Sequence, residues 1–322
     1  MSEEVIAGTV IDVLGEPWLA ETITLEPDDE GEVVATLVSR PVEEKLTHAV
    51  LHVHGFSDYF FHTEWSDWWL ERGHRPYGLD LRKYGRSIRP HQTATYVADL
   101  DEYFEELDAV WERITQRDGH DRVILSGHST GGLVVALWAA ARKPPELAGL
   151  LLNSPWLDLQ GKAWFRSPLA TAALDRLGRM QPMRVLERDV PGFYGRSLHR
   201  DHDGEWHFDL TWKPLGSFPV RLGWLRAIRQ GHARVHRGLD VQCPVLVLSS
   251  DRTHWPREMT PDVHQADVVL DVRQIKQWAS SVGRHVTYVQ VPGAIHDVVL
   301  SRQGARQRAY DEIERWRATY VD

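Results

Sequence analysis

The residues best placed to do chemistry form a G-x-S-x-G pattern at positions 127–131, centred on Ser129. An apolar strand pattern at residues 122–126 leads into it, and a helical pattern at 129–142 leads out. A tight turn from strand to helix projects the serine hydroxyl outward, and the flanking glycines leave out Cβ atoms that would clash. The helix also points its first N–H groups at the serine, which favours developing negative charge. The sequence therefore predicts that Ser129 is a nucleophile.

A serine hydroxyl is a weak nucleophile at neutral pH, so it needs a histidine as base and an acid that orients the histidine. Around a turn of this kind the chain order is serine, acid, histidine. His296 suits the base because it follows a strand pattern at Val286–Val291 and a Pro-Gly turn. The acid should follow the preceding strand pattern, where the candidates are Asp251, Asp262, Asp267 and Asp271. As alternatives, Asp251 suits a turn, and Asp267 or Asp271 suits the start of a helix.

Acyl transfer also needs N–H donors for the oxyanion that forms on the substrate. The backbone N–H of Thr130 directly follows the nucleophile, and that of Phe56 lies in the loop after a strand pattern at His48–Val53. We therefore predict these two donors. Two histidines on that strand, His52 and His54, could instead hold a metal ion. The sequence offers no matching third ligand, so we predict no metal ion there.

A resemblance to a known family rests on three segments of the chain. They read HGFSDYF at 54–60, GLDLRKYGRS at 78–87 and GHSTGG at 127–132. These segments are similar to the HG-x-x-E-H loop, the D-x-R-G-x-G-x-S loop and the nucleophile turn of the monoglyceride-lipase and lysophospholipase-like branch of the α/β-hydrolases. Serine aminopeptidase-like proteins belong to the same branch. With His296, the resemblance covers roughly residues 48–153 and 240–320.

The resemblance also indicates which aspartate orients His296. The family reads strand, G-x-x-D, then x-V-V and a helix, whereas this chain reads SSDRT at 249–253, so the family position falls on Thr253. The rest of the pattern reappears as DVVLDV at 267–272, which resembles a loop inserted before the acid. The resemblance therefore implies Asp267 as the acid, with Asp251 and Asp271 as alternatives. It also implies that Phe56 and Thr130 donate to the oxyanion, and that the reaction passes through an acyl-enzyme without a cofactor.

The elements that must position these residues alternate between strands and helices. Strand patterns occupy residues 22–26, 32–40, 48–54, 75–80, 122–126, 147–153, 244–249 and 286–291, and helical patterns occupy 57–72, 96–114, 129–142, 268–281 and 302–320. The first two strands read as a hairpin, while most later strands are apolar throughout. This alternation predicts an α/β fold, a mainly parallel twisted sheet flanked by helices.

The stretch from 156 to 239 interrupts the alternation, because it holds helical pieces at 170–177 and 222–231 but no clear buried strand. We predict a helical cap subdomain at 156–239, inserted into an α/β-hydrolase core formed by 1–155 and 240–322. Several of the 14 tryptophans fall in it. Trp156, Trp212 and Trp224 are predicted to line an apolar substrate pocket, the alternative being that they fill the core of the cap.

Composition excludes several classes of protein. The 322-residue chain has 37 Lys plus Arg against 46 Asp plus Glu, a formal charge of −9, which does not favour nucleic acid. Its longest apolar run, 133–141, is too short to cross a bilayer, and its N-terminus lacks a signal pattern. The single cysteine, Cys243, suits a buried thiol in a reducing compartment. We expect a cytoplasmic protein, without stable membrane insertion, whose partner is a small-molecule ester; a second copy in a homodimer is a further candidate partner.

The sequence is compatible with three functions. The first is a carboxylesterase or lipase acting on an apolar acyl or aryl ester, similar to a monoacylglycerol. The second is an amide, peptide or thioester hydrolase with the same triad, in which acids of the cap would hold a free amine; the candidates are Glu187, Asp189, Asp201 and Asp203. The third is a ligand-binding protein without catalysis on the same fold.

Overall fold

The sheet is the framework of the molecule, and the computed structural model describes it within residues 8–187 and 190–321. Its strands in these ranges are β1 (Thr9–Ile11), β2 (Leu19–Asp28), β3 (Gly31–Ser39), β4 (His48–Val53), β5 (His74–Asp80), β6 (Arg122–His128), β7 (Leu147–Asn153), β8 (Val245–Ser250) and β9 (Val286–Val291). They form one sheet in the order β1-β2-β3-β5-β4-β6-β7-β8-β9. The first three strands and β5 pair antiparallel, and all pairs from β5 to β9 are parallel. The predicted hairpin is β2 and β3; the short strand β1 had no signal in the sequence.

Helices cover both faces of this sheet. Within the described residues they are α1 (Thr63–Leu70), α2 (Phe104–Glu112), α3 (Thr130–Arg142), α4 (Pro168–Met180), α5 (Phe193–Leu198), α6 (Leu222–His236), α7 (Val272–Trp278) and α8 (Gln303–Tyr320). No helix in the described part of the chain is long and apolar enough to cross a lipid bilayer.

Three predicted helices begin too early. The one over 96–114 starts only at the 3-10 turn Leu100–Tyr103 and continues as α2. The prediction for 57–72 is wrong over its first six residues, which form a loop before α1. In this loop the N–H of Phe60 donates to Asp80 Oδ1 over 2.7 Å, a contact that a helix would not permit. The predicted helix 268–281 begins only at α7, because Asp271 caps it by accepting the N–H of Arg273.

The central strands are buried on both faces, which explains their continuous apolar sequences. One apolar core lies on the side of α2, α3 and α6, and includes Leu125 and Leu133. A second lies on the side of α1 and α8, and includes Ile124 and Ile313. Adjacent residues of β6 thus face opposite cores, as the alternation of side chains along a strand requires.

The segment between β7 and β8, called the β7–β8 insertion, carries α4, α5 and α6 and adds no strand to the sheet within the described residues. It is tied to the loop that follows β4. Lys213 Nζ lies 2.7 Å from Asp58 Oδ1, and the N–H of Asp209 donates to the Tyr59 hydroxyl over 2.7 Å. The insertion therefore lies against the carboxyl edge of the sheet.

Candidate active site

Ser129 lies in the turn between β6 and α3 and has a backbone φ of +53°, in the left-handed region that non-glycine residues rarely adopt. A Cβ at Gly131 would overlap the carbonyl oxygens of Val53 and His54, so only glycine allows α3 to approach β4 this closely. The Ser129 N–H donates to the carbonyl of Asn153 over 3.0 Å. These contacts hold the serine side chain at the carboxyl edge, where it is 7% exposed.

A continuous set of hydrogen bonds joins Ser129, His296 and Asp267. His296 Nε2 lies 3.0 Å from Ser129 Oγ, and His296 Nδ1 lies 2.9 Å from Asp267 Oδ2. Since a carboxylate only accepts, Nδ1 carries the proton and Nε2 is free to accept one from the serine. The other oxygen of Asp267 accepts the N–H groups of Val269 and Leu270, at 2.8 and 2.7 Å, which fixes the carboxylate in place. The arrangement can deprotonate the serine hydroxyl.

Asp267 reaches this position through a loop that follows β8 and folds back beside the residues just after that strand. The backbone at Thr253 forms a bridge with that at Asp267, and the Asp267 N–H donates to Arg252 over 3.0 Å. Residues 254–266 thus form an excursion that brings Asp267 beside the place where the chain first left the strand. Residues 254–266 therefore correspond to the inserted loop that the resemblance suggests.

The other three acids do not contact His296. Asp251 is exposed and accepts the N–H of Gly293 over 3.2 Å. Asp262 pairs with Arg252 at the surface, 2.7 Å away, and Asp271 caps α7. Asp251 and Asp271 therefore take the turn and helix-start roles that were the alternatives for them.

Two backbone N–H groups beside Ser129 are free. A Cβ on Gly55 would lie 3.1 Å from the Cβ of Ser129, so the loop carrying Phe56 passes directly beside the serine. Thr130 is the first residue of α3, where the N–H has no acceptor within the helix. Within residues 8–187 and 190–321, neither the Phe56 nor the Thr130 N–H has a hydrogen-bond acceptor. Both are available to an oxyanion.

The structure brings two of the three predicted tryptophans together. The Trp224 ring lies 4.3 Å from Phe56 and 5.8 Å from Trp156, centroid to centroid. The N–H of Trp156 also donates to the carbonyl of Ser129 over 2.9 Å. Trp212 lies elsewhere, 5.2 Å from the ring of Tyr59 in a separate apolar cluster. Trp156 and Trp224 are 9% and 2% exposed, and both belong to the main core.

Sequence reasoning missed two aromatic neighbours of His296. The Tyr194 ring, on α5, lies edge-on at 5.4 Å, and the His128 ring lies at 4.8 Å. Burial raises the pKa of Tyr194 well above its usual value, so its hydroxyl stays neutral. The position of His128 inside the G-x-S-x-G pattern is a signal that could have found it. Tyr194 had none, because it lies in a short helix of the β7–β8 insertion.

A buried ion pair also lies near the site. Burial by itself would raise the pKa of Asp58, but Lys213 and then His128 outweigh it and hold that pKa well below the usual range. Asp58 is therefore a carboxylate at neutral pH, paired with Lys213 at 2.7 Å. This pair attaches the β7–β8 insertion to the loop that carries Phe56.

His52 and His54 are occupied by hydrogen bonds within the protein. His52 Nδ1 lies 3.2 Å from Ser126 Oγ, while His54 Nε2 accepts the N–H of Leu81 over 3.1 Å. In the described part of the chain, no three His, Cys, Asp or Glu side chains converge as metal ligands would. These two histidines join neighbouring strands and loops of the sheet.

A hydrogen-bonded serine, histidine and aspartate at the carboxyl edge of a mainly parallel sheet is the arrangement of the α/β-hydrolases. Residues 44–303 match the sequence model of the family described as serine aminopeptidase, S33, and the chain belongs to that family. The predicted fold and the resemblance to this branch are both confirmed.

Relatives with known names are similar over different lengths. Phospholipase YtpA of Bacillus subtilis (strain 168) is 31% identical over 127 residues, so the match spans 39% of this chain and about half, 47%, of that relative. Among solved structures, a soluble variant of monoglyceride lipase from Saccharomyces cerevisiae is similar with a TM-score of 0.67 and 16% identity, covering 94% of this chain and 95% of that one. Monoacylglycerol lipase of Paleococcus ferrophilus has a TM-score of 0.59 and 17% identity, covering 85% and 96%. At these identities the structural likeness concerns the fold.

Proposed function

We propose that this protein is a carboxylic ester hydrolase that acts through an acyl-enzyme on Ser129. The observation that carries the proposal is the pair of hydrogen bonds, 3.0 and 2.9 Å long, that joins Ser129 to His296 and His296 to Asp267. The free N–H groups of Phe56 and Thr130 beside the serine support it further, since acyl transfer needs donors for the oxyanion.

The reaction follows from this geometry. His296 Nε2 takes the Ser129 proton while Oγ attacks the ester carbonyl, and the Phe56 and Thr130 N–H groups donate hydrogen bonds to the carbonyl oxygen as it becomes negative. The tetrahedral intermediate collapses, the C–O bond to the alcohol breaks, and His296 returns the proton to the leaving oxygen. Water then attacks the acyl-enzyme with the same base, which releases the acid and restores the serine. Asp267 accepts from Nδ1 throughout and stabilises the imidazolium.

Several features support an ester with an apolar acyl or aryl group. Phe56 packs against Trp224 and Trp224 against Trp156, so a mostly buried aromatic cluster adjoins one proposed donor. The names of the relatives, a phospholipase and two monoglyceride or monoacylglycerol lipases, point to esters of this kind, so we infer a monoacylglycerol-like ester as the substrate class.

The positions of the acids that could hold a free amine favour an ester substrate over a peptide substrate. Glu187 is exposed, and the side chain of Asp201 is 72% exposed. Asp203 pairs with Arg196 at 3.1 Å. Asp189 lies outside the described residues. The described acids are therefore solvated or paired, and none of these three is in contact with Ser129 or His296.

We also infer that residues 156–239 act as a cap on a core made of 1–155 and 240–322. Tyr194 against His296 and Lys213 on Asp58 support this role, because both reach from the insertion to the site. The cap would limit the site to small-molecule esters. Tyr194 would exclude water from the imidazole during the reaction.

Two properties of the whole protein belong to the same proposal. A cytoplasmic location is supported by the single cysteine, Cys243, whose pKa burial raises to about 12, as expected for an unreactive thiol in a reducing compartment. A homodimer is the proposed assembly. Light scattering of the purified protein and imaging of a fluorescent fusion in the source cell test the two.

Replacing the nucleophile tests the proposed function. Ser129→Ala should lower kcat on a nitrophenyl ester by at least about 10⁴-fold, because the attacking oxygen is lost. Wild-type protein should react covalently with a fluorophosphonate, and Ser129→Ala should not. Ser280→Ala, at an exposed serine, is the matched control and should behave as wild type.

Matched substrates separate the alternatives. Faster hydrolysis of an aminoacyl amide than of the matched ester would favour the peptidase, and wild-type protein without any phosphonylation would favour a ligand-binding role. Full activity in Ser129→Ala would remove the proposed mechanism altogether.

A further inference from the structure

A second buried carboxylate follows His296 directly in the chain and has no part in the triad. Asp297 is fully buried. Its Oδ1 accepts from Asn153 Nδ2 over 2.7 Å and its Oδ2 accepts from His62 Nε2 over 3.0 Å. The N–H of Val299 adds a longer bond to Oδ1, at 3.3 Å. Both oxygens of this carboxylate are thus used by side chains from other parts of the molecule.

The two partners belong to the segments that carry the rest of the site. Asn153 ends β7, and its backbone carbonyl accepts the N–H of Ser129 over 3.0 Å. Its side-chain oxygen also accepts the N–H of Val298 over 3.0 Å, so Asn153 bonds to the His296 loop in both directions. His62 ends the loop that begins with Gly55 and Phe56, and it directly precedes α1. One carboxylate therefore connects the segments of the nucleophile, the oxyanion donor and the base.

The charge of Asp297 strengthens these bonds. Burial by itself would raise its pKa, but His128 and then His62 outweigh burial, and the pKa is held below its usual range. The groups facing it are His62, Asn153 and His128, whose Nδ1 lies 3.8 Å from Asp297 Oδ2. Beyond His128 lies Asp58, itself paired with Lys213. Hydrogen bonds to an ionised, buried acceptor are among the strongest in proteins, and removing it leaves buried donors unpaired.

We propose that Asp297 is a positioning residue: acting through Asn153 and His62, it sets the placement of Ser129 and the Phe56 N–H relative to His296. The inference rests on the proposed function only in that these groups act in one reaction. Because displacements of about 1 Å in such a site cost about 10²-fold in rate, loss of Asp297 should lower kcat and leave the KM for a small ester nearly unchanged. A residue that only stabilised the fold would not lower kcat while leaving KM unchanged.

The test compares the buried Asp297 with the partly buried Asp118. Asp297→Asn keeps the shape but removes the charge, and we expect kcat on a nitrophenyl ester to fall about 10- to 100-fold with KM within about threefold. The rate of phosphonylation by a fluorophosphonate should fall in parallel. Asp118→Asn is the matched control, because Asp118 accepts from Tyr77 over 2.7 Å just before β6, at the opposite edge of the sheet. Its kcat should stay within about twofold of wild type. Thermal unfolding and circular dichroism must show both variants folded at the assay temperature.

A second pair keeps the proposal testable if Asp297→Asn does not fold. His62→Gln retains a donor for Asp297, whereas His62→Leu does not, so the glutamine variant should keep more of kcat and of the phosphonylation rate. The exchange variant Asn153→Asp with Asp297→Asn restores a carboxylate facing an amide and should recover part of the lost kcat.

Three outcomes would overturn the proposal: a folded Asp297→Asn with wild-type kcat and phosphonylation, an equal loss in Asp118→Asn, or a change in KM alone. Phosphonylation needs no ester substrate. If wild-type protein is phosphonylated but cleaves no ester, the proposed function fails, while the effect of Asp297 on phosphonylation still decides its positioning role.

Discussion

At the scale of single residues, the hydrogen bond from His296 Nδ1 to Asp267 Oδ2, 2.9 Å long, decides which aspartate can serve the base. It fixes the tautomer in which Nε2 faces the serine as an acceptor. Asp251 and Asp271 are near in sequence, but Asp251 accepts from Gly293 and Asp271 caps α7, so neither can do this.

Replacing each of these aspartates by asparagine should show which one supports catalysis. In Asp267→Asn the side-chain amide can donate to Nδ1, which favours the tautomer with the proton on Nε2, and kcat should fall by about 10⁴-fold. Asp251→Asn is the matched control and should change kcat by less than about threefold, since its contact is an exposed turn bond. Steady-state kinetics on a nitrophenyl ester measure both. A larger loss in Asp251→Asn than in Asp267→Asn would contradict the assignment of the acid.

At the scale of elements, the site depends on how closely α3 approaches β4. Gly131 lies against the carbonyl oxygens of Val53 and His54, with no room for a Cβ. The same approach places the loop after β4, with the Phe56 N–H, beside Ser129. Strand, loop and helix therefore have to fit together before any donor faces the nucleophile.

A methyl group at this contact should disturb both fold and activity. Gly131→Ala should destabilise the protein by about 1–3 kcal/mol, through overpacking against backbone, and should lower kcat because β4 and α3 separate. Gly304→Ala, in α8, is the control: its Cβ would meet only Arg308, at 3.9 Å, so stability should be unchanged or raised by up to about 1 kcal/mol. Urea unfolding with parallel kinetics measures both effects. A Gly131→Ala variant as stable and active as wild type would show that the close approach is not needed.

At the scale of the whole molecule, many of the 17 histidines are buried rather than solvated. Burial lowers the pKa of His52 and His232 well below the usual value, and lowers that of His74 to about 4. His54, His120 and His236 shift in the same direction for the same reason. These groups are neutral in the folded protein, whereas the unfolded chain protonates them near pH 6.5.

The free energy of unfolding should therefore fall as the pH drops from about 6.5 towards 4. In that window the unfolded chain binds more protons than the folded one, and each such group contributes up to about 1.4 kcal/mol per pH unit. Acids with a lowered pKa, such as Asp58, act in the same direction only below about pH 4, where the unfolded carboxylates protonate. Urea unfolding at pH 7, 6 and 5 measures the slope.

A pair of variants tests how much His232 contributes to this pH dependence of the free energy of unfolding. His232 lies in α6, with Nε2 2.9 Å from the carbonyl of Trp156 and Nδ1 3.2 Å from Arg229 Nη1. His232→Gln should reduce the pH dependence by about one proton, since glutamine does not titrate. His207→Gln, at an exposed histidine, should leave the slope unchanged. Stability that is constant between pH 6.5 and 5 in the wild-type protein would contradict this account.

The sequence by itself predicted eight of the nine described strands and the turns that carry Ser129 and His296. Each of these depends on local patterns: an apolar strand, a glycine turn, the start of a helix. The same locality explains the error at 57–62, where apolar spacing resembles a helix but the N–H of Phe60 bonds to distant Asp80. Only the tertiary structure decided which aspartate meets His296, since residues 254–266 fold out and back. It alone brought Tyr194 onto His296 and joined Asp297 to Asn153 and His62, residues 144 and 235 positions away in the chain. Such contacts depend on how loops meet at the edge of a sheet, and no periodicity in one segment encodes them.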